Sequence, residues 1–251
     1  MNVVVAAHPD DEIIGLGAQL PHLPDTLFIH VTDGAPRDMH DALSHGFTTR
    51  ESYAQARRIE LLEALSVAQI PAEHCRCLGF VDQEAAAHLR EITSALYEIF
   101  RAFRPRFVIT HSYEGGHPDH DATIFACHAA RRLLLRDGFC PGLLVEFASY
   151  HSRDGHWIAG EFLPDPSHEV LVFRLTPEQQ IFKRQLFACF RTQQAVLAGF
   201  PVDTEKFRIA PDYDFCSPPH EGTLFYENFS WGMNRDQWRQ YARTALDEMG
   251  L

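Results

Sequence analysis

The 251-residue sequence predicts an α/β fold: a single-domain, three-layer sandwich built on a mostly parallel, doubly wound sheet. Two observations carry this prediction. Short apolar runs rich in β-branched residues alternate four times with longer stretches of helical periodicity. Two of these runs, about a hundred residues apart, end in the same kind of cluster, His8-Pro9-Asp10-Asp11-Glu12 and His117-Pro118-Asp119-His120-Asp121. Open parallel sheets bind ligands beyond the carboxyl ends of their strands, so imidazole–carboxylate clusters mounted at two such ends point to one shared site.

Each element follows from local composition. Residues 3–7, Val-Val-Val-Ala-Ala, form a run too short for a helix and apolar enough for a strand buried on both faces. Pro9 disfavours helical backbone at His8, and the acids at 10–12 suit a first helical turn, so a helix is expected to begin there and run through residues 13–20. Gly15 and Gly17 lie beyond those acids and outside any G-x-G-x-x-G spacing; close packing of helix on sheet explains them better than a dinucleotide phosphate. Residues 26–32 read as the second strand, stopped by Asp33-Gly34-Ala35-Pro36. From residue 48 or 49 to 68 an amphipathic pattern with Tyr53, Ala56, Ile59, Leu62 and Leu65 on one side forms a crossover helix. A short third strand, 75–80, ends at Val81-Asp82, and a second long helix, 85–103, stops before Pro105. Residues 106–111 are the fourth strand and 119–136 the helix after the second cluster. Right-handed crossovers favour the strand order 3-2-1-4, which makes strands one and four neighbours where the winding reverses.

Past Cys140-Pro141 the alternation loosens. Residues 143–150 and 170–173 continue the sheet by a strand or two. Thr-Pro-Glu opens a helix over 176–197, and a last helix spans 235–249. Residues 200–231, rich in Pro, aromatics and Asp without clear period, read as an ordered loop over one edge of the site. Its aromatics, with Trp157 and Trp231, suit a sugar-stacking rim and edge packing equally well. The expected organisation is one domain, 1–251, with both clusters in a βα core over 1–135 and the extension, site loops and last helices over 136–251.

Composition narrows the partners. A formal charge of −12 disfavours nucleic acid and anionic membrane surfaces, which need clustered positive potential. No run reaches the ~18 apolar residues of a membrane helix, and the start has no basic n-region, so a cytoplasmic location with six reduced cysteines is expected. The pairs Arg57-Arg58 and Arg131-Arg132 read as solvated helix faces. Self-association is left open.

Two histidines and one carboxylate, with a position kept for water, are the donor set of a catalytic zinc site. Adjacent Asp10 and Asp11 can divide two roles, one as ligand and one as base, and spacing does not say which takes which. Two other readings use the same residues: a two-His-one-carboxylate iron oxygenase, which leaves Asp11 and His117 without roles, and a binding protein without catalysis. Elsewhere the bland reading is preferred. His111 and Ser112 read as structural, His151, His156, His168 and His220 as surface or loop residues, Asp121 as a first-turn acid on the helix dipole, and Glu12 as a helix-start acid.

Ala7-His8-Pro9-Asp10-Asp11-Glu12 near the start, with Gly116-His117-Pro118-Asp119-His120 midway, resembles the PIG-L/LmbE family of zinc-dependent N-deacetylases over residues 1–135. The resemblance implies a Rossmann-like domain that removes acetyl from N-acetylglucosamine units of small-molecule sugars and glycoconjugates. It implies Zn²⁺, with Fe²⁺ as the alternative ion, held by His8, Asp11 and His120. Asp10 would be the general base, and His117 would stabilise the oxyanion and help protonate the leaving amine. It further implies an arginine on the first crossover and an acid after the third strand that touch the sugar, for which Arg50 and Asp82 are the nearest candidates.

Overall fold

A computed structural model describes residues 1–251. Its strands are β1 (Asn2–Ala6), β2 (Thr26–Pro36), β3 (Cys75–Asp82), β4 (Phe107–Thr110), β5 (Leu143–Phe147), β6 (Tyr150–Arg153), β7 (His156–Ala159), β8 (Leu171–Arg174) and β9 (Thr204–Ile209). Seven of them form one sheet in the order β3-β2-β1-β4-β5-β9-β8, parallel through β5 and antiparallel beyond it; β6 and β7 form a separate hairpin. The α-helices are α1 (Asp11–Leu16), α2 (His40–Ser44), α3 (Arg50–Val67), α4 (Leu89–Phe103), α5 (Pro118–Arg136), α6 (Pro177–Cys189), α7 (Gln194–Leu197) and α8 (Arg235–Met249).

Strand alternation divides the interior into two layers. Val3 and Val5 point with Ile29 and Val108 into the core under α4, α5 and α8, whereas Val4 and Phe28 point with Phe147 into the core under α1, α3 and α6. Buried on both faces, β1 is therefore apolar at every position from Val3 to Ala6, and the order 3-2-1-4 stands as the alternating pattern predicts. Gly15 is required by packing: a Cβ there would lie 2.3 Å from a ring carbon of Phe147.

The carboxyl-terminal half departs from the sequence reading. Residues 204–209 are a strand rather than loop, because their buried charges are neutralised in pairs: Lys183 Nζ sits 2.9 Å from Glu205 Oε1, and Arg208 Nε donates to Glu146 Oε2 at 2.7 Å. Such a strand shows no apolar alternation. The expected helix 176–197 breaks at Phe190, where the Thr192 N–H and hydroxyl donate instead to buried Glu60. The expected strand 143–150 ends at Phe147, and a hairpin follows whose two-residue turn, Asp154-Gly155, has φ of 54° and 76°. That Asp-Gly pair is a hairpin signal the sequence carried. All six cysteines are free thiols, and no helix is long and apolar enough to cross a membrane.

Candidate active site

Strands β1 and β4 run side by side in parallel register, Val3 opposite Val108 and Val5 opposite Thr110, so their carboxyl ends are level. The loops that follow open into one cavity of about 580 Å³. In it His8 Nδ1 lies 3.2 Å from Asp11 Oδ2, and His120 Nε2 lies 3.2 Å from Asp11 Oδ1. Donor atoms of His8, Asp11 and His120 all fall within 4.8 Å of one another.

The first loop is tightly tied down. Asp10 has φ 141° and ψ −25°, a conformation that costs a non-glycine residue about 1–3 kcal/mol and persists only where the surroundings hold it. Here the Asp10 carbonyl accepts from the Ile13 and Ile14 N–H groups, its own N–H donates to Glu12 Oε2, and Arg57 Nη2 donates to the Pro9 carbonyl at 2.9 Å and to Asp10 Oδ2 at 3.3 Å. Glu12, fully buried, also pairs with His30 Nε2 at 2.9 Å, so this helix-start acid is part of an internal anchor.

In the second loop, His117 caps α5 through its ring: Nδ1 accepts the Asp119 N–H at 3.1 Å. A neutral imidazole that accepts at Nδ1 carries its proton on Nε2, the nitrogen 3.9 Å from Asp82 Oδ1. Asp119 is fully buried; Oδ1 accepts the Ala85 N–H and Oδ2 the Gln83 N–H, and Oδ2 also sits 3.2 Å from His8 Nε2. Asp82 Oδ1 is 3.1 Å from the same nitrogen.

A second donor group, His8, Asp82, His117 and Asp119, also falls within 4.8 Å, but backbone amides already occupy both Asp119 oxygens. His8, Asp11 and His120 fit an ion better. With Nδ1 of His8 turned to Asp11, Nε2–H faces Asp82 and Asp119, the carboxylate–imidazole relay that orients metal-bound histidines. The electrostatics agree. Burial opposes a charge on His8, yet Asp82, Asp11 and Asp119 outweigh it and hold the imidazole well above its ordinary range: this spot attracts a cation. Burial lowers His120 to about 3, leaving it neutral and free to ligate. His117 is likewise held well below its ordinary range by burial. Burial pushes Asp10 up to about 7, with Arg57 pulling the other way.

The cavity therefore unites His8, Asp10, Asp11, Asp82, His117 and His120 and leaves Arg50 out. Arg50 Nη1 donates to Asp33 Oδ2 and the Ala35 carbonyl and lines a separate pocket of about 270 Å³. The arginine that reaches the site is Arg57, read from sequence as solvated but buried here. The inward face of α3 runs through Tyr53, Arg57, Leu61 and Leu65, leaving Ile59 exposed, so a charged residue occupies an apolar-face position. Asp121 also departs from expectation: fully buried, it accepts the Glu114 and Gly115 N–H groups and staples the turn before α5. His151 is buried beside Glu114 rather than at the surface. His111, structural as expected, accepts the Ala7 N–H at Nε2 and stacks on His120 at 4.0 Å. The sequence reading also missed Asp119 and Tyr150, whose ring meets His120 edge-on at 5.3 Å.

Comparison with known proteins bears on the fold and the family. Among curated relatives, 1D-myo-inositol 2-acetamido-2-deoxy-alpha-D-glucopyranoside deacetylase 2 of Saccharopolyspora erythraea is 30% identical over 142 residues, 48% of this chain and 52% of that protein. The chain spans about half the length of the curated relatives it matches. Among solved structures, a deacetylase of the teicoplanin biosynthesis pathway superposes with a TM-score of 0.64 at 18% identity, over 84% of this chain and 99% of that one. GalB, a 4-carboxy-2-hydroxymuconate hydratase of Pseudomonas putida KT2440, superposes with a TM-score of 0.54 at 15% identity, over 85% and 97%. These structures share the fold. Residues 3–131, just over half of the chain and the part that holds both clusters, match the profile of PIG-L, GlcNAc-PI de-N-acetylase, and the chain belongs to that family.

Proposed function

We propose that the protein is a metal-dependent hydrolase that removes the N-acetyl group of an acetylated amino sugar. The observation that carries this reading is the convergence of His8, Asp11 and His120 from two loops, with the carboxylate of Asp10, held by Arg57 and outside the donor set, lining the same cavity. His8, Asp11 and His120 would hold the ion, for which zinc best suits two imidazoles and a carboxylate. When bound, such an ion supplies Lewis acidity and lowers the pKa of a coordinated water towards about 7.

The chain's own residues supply the remaining work. Asp10, fixed by Arg57 and the strained turn, takes the proton of the attacking water. His117 presents Nε2–H towards the acetyl carbonyl oxygen, where a donor aimed at developing negative charge is worth roughly a hundredfold or more in rate. His117 would then give its Nε2 proton to the departing amine as the C–N bond breaks and regain one from Asp10, releasing acetate and a free amino sugar. Asp82 and Asp119 fix the ring of His8. The fold alone does not select the reaction, since GalB shares it; the Asp10–His117 pair about one donor set favours hydrolysis over hydration or oxygen chemistry.

Amine release from a panel of N-acetylated sugars and glycosides, measured with added zinc and with chelator, tests the reading. Metal-restored turnover without oxygen consumption is expected, with Asp10→Ala lowering kcat by about 10²–10⁴-fold while metal content is retained. No release from any N-acetylated sugar by the metal-loaded protein would overturn it, and so would full activity in Asp10→Ala.

A further inference from the structure

The cavity has two unlike walls. One is polar and comes from residues 8–83 and the start of α5. The other is aromatic: Tyr150, Trp157, Phe200, Phe225, Phe229 and Trp231. These rings form one connected row. Phe200 meets Trp157 at 5.4 Å, Trp157 meets Tyr150 at 6.1 Å, Tyr150 meets Phe225 at 5.4 Å, and Phe225 meets Phe229 at 5.1 Å. Phe229 stacks on Trp231 at 4.4 Å and 10°, and Trp231 ends the row 4.7 Å from the His117 imidazole. Trp157 and Phe229 stand 38% and 44% exposed, so large apolar groups are left in water on either side of Tyr150, whose ring meets His120 at 5.3 Å. Contiguous exposed apolar surface beside a site marks a ligand surface.

We infer that this wall receives an aromatic or otherwise strongly apolar, uncharged aglycone attached to the acetylated amino sugar; the inference rests on the deacetylase reading above. Sugar stacking alone does not account for six rings. A sugar needs one open ring face, whereas Phe229 covers a face of Trp231 and most of the other rings meet edge to face. About 580 Å³ lies within the ~300–1,000 Å³ range of pockets that enclose drug-sized ligands, which leaves space beside a sugar for a second group. Charge excludes an anionic one. Arg57 is the only Arg or Lys in the lining and is committed to Asp10 and Pro9, while Asp41 and Asp82 add negative charge near the mouth. Sugar hydroxyls would meet the polar side, where His40 and Gln83 stand.

Acetate release from methyl and 4-nitrophenyl N-acetyl-β-D-glucosaminide and from N-acetylglucosamine 1-phosphate tests the inference in the metal-loaded protein. A second arm follows binding of the deacetylated methyl and 4-nitrophenyl glucosaminides through tryptophan fluorescence. The 4-nitrophenyl glycoside is expected to exceed the methyl glycoside about tenfold in kcat/KM, as burying one further ring implies, with the 1-phosphate poorest. The same preference is expected in binding, and the ratio should collapse towards one in Trp157→Ala and in Phe229→Ala. Equal use and equal binding of the two glycosides, or a ratio unchanged in both variants, would overturn it. If no acetate is released from any of the three, the deacetylase reading fails on its own, and the binding ratio and its loss in the variants still decide the apolar subsite.

Discussion

The two walls of the cavity are made by opposite strategies. The polar wall comes from residues within the family match and is over-determined: Asp10, Asp11 and Asp82 are pinned by a backbone amide, an imidazole or Arg57, and its turn is held in a strained backbone. The aromatic wall comes from the hairpin of β6 and β7 and from residues 200–231, and its rings are positioned chiefly by one another. On the proposed function, chemistry would sit on strand ends where geometry is fixed, and selection of what is attached to the sugar would sit on loops where shape can change without disturbing the reacting groups.

The largest kinetic test of this contrast uses two arginines of one helix. Replacing Arg57 with Met removes the clamp on Pro9 and Asp10 and should lower kcat by about 10–100-fold, the usual cost of losing a group that orients reactive residues. Arg50→Met, seven residues away but bonded to Asp33 outside the cavity, should remain within about threefold of wild type, since exposed or half-exposed pairs are worth about 1 kcal/mol or less. Steady-state kinetics on one N-acetylated glycoside compares them. Equal losses would put Arg50 back at the substrate and dissolve the distinction drawn here between the two.

A smaller effect concerns stability. The φ of 141° at Asp10 opposes folding, so Asp10→Gly should exceed Asp10→Ala, which equally leaves Arg57 without its carboxylate, by about 1–2 kcal/mol in unfolding free energy, while both abolish turnover. Substitutions in the aromatic row remove packing and should lower it. Equal stability of Asp10→Gly and Asp10→Ala would mean that the turn is not under strain.

The fold and the two clusters are legible in the sequence because β1 is buried on both faces and β4 at alternate positions, so their apolar runs stop abruptly where chemistry begins. His8, Asp10, Asp11, His117 and His120 stand at those stops. What escapes reading is what depends on tertiary pairing. Arg57 lies on the apolar face of α3 and looks like a surface charge until Asp10 is placed against it, and Asp119 looks like one more helix-start acid until two amides and His8 arrive from elsewhere. Strand β9 escapes for the same reason: Glu205 and Arg208 are buried only because Lys183 and Glu146 meet them. The hairpin is a different case, since Asp154-Gly155 announces it while the contiguous apolar run before it masks where β5 ends.

Every functional statement rests on two loops, a hundred residues apart, sharing one ion. Equilibrium titration of the metal-free chain with zinc, against a chromophoric competitor, measures this directly in wild type, His8→Ala and His120→Ala. One tight site per chain is expected, with affinity lowered at least about a hundredfold in each variant; wild-type affinity in either variant would contradict the shared site.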